Sequence, residues 1–282
     1  MKKNIFLFIL LSLNLNAQSL KFDKISTQCE DKWIAYQMNK DSTYTFGYIY
    51  IDSQAGLTFN YEGKFKIDNE QKFNIIETDI KKDKVSLKAR LEPNRIALAE
   101  IPESKYKELN IQKVPDWLKF YKTDENTIER LFKWGFMYNG WEECGKALEY
   151  LEKAKKIDQN FKGLKVELAY SYNCLGRYND AVEVLQEALK IQPNDAYINK
   201  ELIFSQSKLN QIDVAESSFK KALKLCEDKT YNAENAFQIV QGYFIKKDKL
   251  NFERFLNEFS VLLKSDNRFP PIIEQMKLEL KK

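Results

Sequence analysis

Histidine is missing from all 282 residues of this chain. Its absence removes Ser-His-Asp and Cys-His nucleophiles, His-Glu-x-x-His zinc sites and histidine-held haem. Glycine (9) and proline (6) are too scarce for a long low-complexity tract. Charge of one sign is lacking as well. The formal net charge is +4, and losing Lys2 and Lys3 with a leader would leave +4 − 2 = +2. Lysines alternate with acids along the chain, as on solvated helices, and no basic stripe is laid out to track phosphates. Nucleic acid is therefore not an expected partner. No Cys-x-x-Cys motif occurs among the four cysteines, so no metal, cofactor or catalytic dithiol is expected. The composition as a whole points away from an enzyme.

What the chain does carry begins with a leader. Met1-Lys2-Lys3-Asn4 is followed by the apolar run Ile5 to Leu13, then by the polar, small-residue exit Asn14 to Ala17. The run is shorter than the roughly 18 residues a spanning helix needs. The pattern predicts a bacterial secretory signal over 1–17, cleaved after Ala17, with an uncleaved anchor as the alternative. No later segment is long and apolar enough to span a bilayer. The expected location is periplasmic or extracellular.

Residues 20–101 read as a β-rich domain. Tyr44, Phe46, Tyr48 and Tyr50 alternate with Thr45, Gly47, Ile49 and Ile51, the period of a strand. Asp52 to Gly56 supplies a turn, and Leu57, Phe59 and Tyr61 resume the alternation. Gly63 marks a bend or bulge, and further strands carry Phe73 and Ile75, Val85 and Leu87, and Ile96 and Leu98. Trp33, Ile34 and Tyr36 suggest one more strand in front. Close turns favour an antiparallel meander folded as a small sandwich or open barrel. The aromatic stripe is expected to be core, with a stacking surface for an envelope glycan or small ligand as the alternative. A helical linker over 102–127 follows. Its Trp117 and Tyr121 share one helix face and are expected to dock on the first repeat.

The second half is periodic. Ala147, Ala181 and Ala215 stand 34 residues apart (181−147 and 215−181), and Ala154, Ala188 and Ala222 keep the same step, as do Tyr138 and Tyr172. A shared period of this length predicts stacked helical hairpins, a solenoid, and solenoids mostly bind other proteins. In the clearest unit, Lys162 to Asp195, Ala169 and Tyr172 lie on the first helix, Gly176 in the turn, Ala181 and Ala188 on the second, and Pro193 stops it. Small residues let the helices approach while Tyr172 and Leu185 fill the space beside them. Cys144 and Cys174 can meet across neighbouring repeats. Four cysteines allow three complete pairings, however, and the expectation is that Cys29, Cys144, Cys174 and Cys226 are small buried apolar side chains.

This unit resembles the tetratricopeptide repeat. The unit before it, Ile128 to Phe161, keeps Trp134-Gly135, Tyr138, Ala147 and Ala154 but has Glu142 at the turn. The unit after it, Ala196 to Lys229, keeps Ala215 and Ala222 but has Ile203 and Gln206 where a small residue and tyrosine belong. Three repeats therefore cover 128–229. A degenerate fourth hairpin, loosened by Phe255 and Phe259, and a capping helix occupy 230–282. The expected fold class is α+β: an antiparallel β module, then an all-α solenoid.

The resemblance implies a groove lined by the first helix of each hairpin. Carried over by position, it points to Phe132, Phe136 and Asn139, then Val166, Tyr170 and Asn173, then Lys200, Phe204, Ser207 and Lys208. Phe136, Tyr170 and Phe204 repeat at the 34-residue step as an aromatic ladder, with Asn139, Asn173 and Ser207 as a polar ladder one turn on. The implied role is a non-catalytic envelope scaffold holding one or more proteins. An apolar or strand-like segment would have its backbone satisfied by the asparagines. Burial of the ladder under the chain's own linker or β domain is the alternative.

Overall fold

A computed structural model describes residues 20–76 and 87–281. The leader and Val85 lie outside the described residues. The chain divides into two compact units, Met1–Thr123 and Asp124–Lys282.

In the first unit the described strands are β1 (Phe22–Lys24), β2 (Lys32–Tyr36), β3 (Tyr44–Asp52), β4 (Gly56–Ile67), β5 (Phe73–Ile76), β6 (Lys88–Arg90) and β7 (Leu98–Glu100). They form one connected sheet in the order β1-β7-β2-β3-β4-β5, with β6 also on β4. Every pairing is antiparallel. The expected meander accounts for β2 to β5. β7 returns between β1 and β2, so the described strands are joined in a single antiparallel sheet. The bulge at Gly63 is real: the β3–β4 register shifts where Phe46 faces Gly63 and Gly47 faces Tyr61.

Phe46, Tyr48 and Tyr50 are at most 1% exposed. They share a core with Trp33, Phe65 and Phe73. What covers them is the 102–122 segment, in which two 3-10 turns (Glu103–Lys105 and Asp116–Phe120) replace the expected helices. Trp117 meets Tyr48 and Tyr50 edge-on at 6.1 and 5.3 Å, and Tyr121 lies 5.8 Å from Tyr50. Polar ties hold this strap down. Trp33 Nε1 donates to the Gln112 carbonyl at 2.8 Å, Glu108 accepts the Phe73 N–H at 2.6 Å, and Lys122 pairs with Asp31 at 2.5 Å. Burial pushes the Glu108 carboxyl up, but the Phe73 N–H and Lys105 more than offset it and hold it below its ordinary value. Where docking on the first repeat was expected, Trp117 and Tyr121 pack on the sheet of their own unit, whose apolar face a small domain must cover to fold.

The second unit is helical: α1 (Ile128–Gly140), α2 (Cys144–Ile157), α3 (Leu164–Cys174), α4 (Tyr178–Ile191), α5 (Ala196–Lys208), α6 (Ile212–Leu225), α7 (Asn232–Ile245), α8 (Lys249–Glu258), α9 (Ser260–Lys264) and α10 (Phe269–Leu280). Ala147, Ala181 and Ala215 are fully buried between paired helices. A Cβ on Gly135 would come within 2.4 Å of Leu151, so that contact requires glycine. The turns repeat too. Gly176 has φ +73°, and Glu142 and Asn210 take the same left-handed conformation at 61° and 60°. The Asp195 side chain accepts from the Ile198 N–H at 2.9 Å and starts α5.

The fourth hairpin departs in its second helix, which breaks at Phe259 into α8 and α9. Phe252 and Phe255 are fully buried there, and Phe219 lies 5.2 Å from Phe259. Phe237 stacks on Phe269 at 4.3 Å and seats α10 on α7. Among the described residues no helix is long and apolar enough to cross a membrane.

Candidate functional site

The first helices α1, α3 and α5 carry the residues assigned to the groove. Their polar and aromatic rows turn out differently. Asn139 and Asn173 are 3% and 6% exposed. The Asn139 amide donates to the Glu167 carbonyl at 3.0 Å and to its carboxylate at 2.9 Å, while its oxygen accepts from Ser171 Oγ at 2.7 Å. One repeat on, Asn173 donates to the Glu201 carboxylate at 2.9 Å and accepts from Ser205 at 2.7 Å. These are clamps between successive hairpins, and the assignment of Asn139 and Asn173 to a ligand's backbone is corrected. An asparagine spends its hydrogen-bonding capacity on fixed neighbours when a buried carboxylate demands it. Burial, with the Glu201 charge adding to it, raises the Glu167 carboxyl against the pull of Asn139.

Glu167, Glu201 and Asn235 are related by the same step of 34 (201−167 and 235−201), and so are Ser171, Ser205 and Ile239. The step was legible, but its meaning required the contacts. The third junction loses the clamp: Ser207 Oγ and Asn235 Oδ1 are both buried without a hydrogen-bond partner among the described residues. Hairpins 3 and 4 are held instead by Glu216, which takes Arg254 at 2.6 and 2.9 Å and the Tyr243 hydroxyl at 2.6 Å. Burial alone would raise the Glu216 carboxyl; hydrogen bonds from Arg254, Tyr243 and Lys220 outweigh it and bring it to about 2.

The aromatic row faces outward. Phe136 is 52% exposed, and Tyr170 and Phe204 are half-buried. Phe132 leans on Phe161 at 5.2 Å, beside half-buried Val166. Phe204 meets the edge of Tyr178 at 6.1 Å, and the exposed Lys208 ammonium lies 5.2 Å from its ring. Lys200 sits between Tyr197 and Tyr231, 5.4 and 5.6 Å from the two rings, and pairs with Glu201 at 3.1 Å and Glu234 at 3.8 Å. Burial lowers this ammonium, but Glu201 and Glu234 hold it above its ordinary value. Tyr197, Tyr231 and Glu234 belong to this row and are not singled out from the sequence, although Tyr197 and Tyr231 keep the 34-residue step (231−197) and Glu234 stands one step after Lys200 (234−200).

Cys144 and Cys174 form a disulfide with Cα atoms 6.2 Å apart. It ties the start of α2 to the end of α3, so hairpins 1 and 2 are covalently joined. The expectation of four inert thiols is corrected for this pair: the stacking itself brings the two helix ends within bridging range. Cys29 and Cys226 are free and buried, and burial pushes the Cys29 thiol up to about 12, with Glu100 adding to it. A shallow depression of about 260 Å³ lies by Phe161, Gly163, Val166 and Ile191. Among the described residues no group of three or more Cys, Asp or Glu is placed to hold a metal.

Paired antiparallel helices in register, with small residues at their crossings, define a helical-repeat solenoid. The repeat itself is the tetratricopeptide repeat, whose family model matches residues 164–195, the span of hairpin 2. The solved structures similar to this chain include MamA from Desulfovibrio magneticus RS-1 (17% identity, 58% of this chain and 87% of that one, TM-score 0.44). They also include YrrB, described as a TPR protein with an unusual peptide-binding site (17% identity, 54% and 75%, TM-score 0.42). A third is Pseudomonas aeruginosa PilF (12% identity, 61% and 76%, TM-score 0.42). No curated protein matches the chain.

Proposed function

We propose that this protein is a non-catalytic scaffold of the bacterial cell envelope that holds a segment of another protein along α1, α3 and α5. The observation carrying this reading is the aromatic ladder. Phe136 is half in solvent although aromatic rings gain most by burial. An ordered row of such rings on a stack fixed by clamps and a disulfide is pre-organised for a partner. The disulfide supports an oxidising compartment, as does the expected leader. Burial of Phe46, Tyr48 and Tyr50 removes the aromatic surface on which a glycan-binding reading depended.

The test is site-specific photo-crosslinking in intact cells, with the crosslinker at position 136 or, as a control, at exposed Glu187 on α4. The expected result is one reproducible protein adduct from position 136 alone, lost when Tyr170→Ala and Phe204→Ala are added. Equal adducts from both positions, or an adduct indifferent to those changes, refute the groove.

A further inference from the structure

We infer that the groove takes an amphipathic α-helix bearing an acidic residue, not an extended strand; this rests on the groove reading above. The asparagines of the groove are already spent on neighbouring residues. Both Asn139 amide hydrogens are aimed at Glu167, and its oxygen is taken by Ser171. Asn173 is committed in the same way to Glu201 and Ser205. The Ser207 hydroxyl is buried and out of reach. The ladder therefore presents rings and no row of groups for a strand's backbone.

An extended segment pressed onto Phe136, Tyr170 and Phe204 would strip water from its own N–H and C=O groups and gain no partners for them, and each such group is costly to bury unpaired. A helix brings its backbone already paired and offers only side chains. It would meet the three rungs with apolar anchors about seven residues apart, near i, i+7 and i+14, on one apolar face continued by residues at i+3 or i+4. Hairpins stacked at about 10 Å per helix contact put Phe136 and Phe204 about 20 Å apart. At 1.5 Å per residue that span asks for a helix of about 13 residues.

Charge narrows the partner further. Lys200 is already neutralised by Glu201 and Glu234. Lys208 is exposed, lies beside Phe204, and has no carboxylate within ion-pair distance among the described residues. A helix carrying Asp or Glu near its last apolar anchor would meet that ammonium at the hairpin 3 end of the ladder.

The probe is a displayed library of random 18-residue peptides, selected on the full chain with its disulfide intact. The Tyr170→Ala, Phe204→Ala double variant serves as counter-selection after circular dichroism and its melting temperature confirm the fold. The expected winners show a helical apolar face with anchors near i, i+7 and i+14 and an acid near the last of them, and gain helical dichroism on binding. A proline placed mid-peptide should weaken them about 100-fold, and Lys208→Glu should weaken them about tenfold. Winners that alternate apolar residues at i, i+2 and i+4, or tolerate the central proline, overturn the helix while still losing affinity in the double variant. If no selected peptide depends on Tyr170 and Phe204, the groove reading falls with it.

Discussion

Two rows of aromatics in this molecule have opposite fates. Phe46, Tyr48 and Tyr50 on β3 are sealed beneath the 102–122 strap, whereas Phe136, Tyr170 and Phe204 on the repeats keep one side in solvent. Both rows are regular, one at period two and the other at 34, so regularity does not distinguish core from contact surface. The difference lies in what else holds each unit together. The sheet depends on its aromatics for stability. The hairpins already have buried alanines, asparagine clamps and a disulfide, which leaves their outward rings free for another role.

The widest expected gap between the rows is in stability. Phe46→Ala should destabilise the first unit by about 3–5 kcal/mol, while Phe136→Ala should change the second unit by no more than about 0.5 kcal/mol, both read by denaturant unfolding. Comparable losses would erase the distinction. Next comes the covalent tie. With the cysteines 30 positions apart in sequence, loop-entropy reasoning predicts about 3–4 kcal/mol lost on reduction, seen as a lower melting temperature in dithiothreitol that Cys174→Ser reproduces.

Asn173→Ala should cost about 2–3 kcal/mol, because it takes the donor from one oxygen of the buried Glu201 carboxylate, leaving Lys200 on the other, and an acceptor from Ser205, yet Ser207→Ala should cost almost nothing since that hydroxyl has no partner to lose. Equal effects would mean the clamp is not what separates the first two junctions from the third. Smaller again is the effect of acid on Glu216. Its folded value of about 2 lies below the ordinary carboxylate value, so its stabilisation is complete above the unfolded value and fades as pH falls toward 2. Glu216→Gln should thus lower the melting temperature at pH 7, with the gap to the parent closing on acidification. The smallest change should be a gain: Glu142→Gly relieves a left-handed residue and should add about 1 kcal/mol.

Much of the fold was legible in the sequence because it rests on local rules. The 34-residue step placed Ala147, Ala181 and Ala215 at the helix crossings, and the alternation from Tyr44 to Ile51 placed β3. The groove was less legible. The asparagine row looked available because sequence spacing gives the face of a residue and says nothing of its nearest neighbour across a junction. Glu167 and Ser171 are 28 and 32 residues from Asn139. Neither charge nor periodicity marks them as its partners.

The sequence by itself determined the repeat, the absence of imidazole chemistry and the two aromatic rows, since each follows from residue identity and period. Tertiary structure alone decided which row is covered, which asparagines are spent and which cysteines are joined. Those outcomes depend on side chains distant in sequence competing for the same few ångströms, where an uncovered ring or an unpaired amide changes the free energy by as much as a whole local preference.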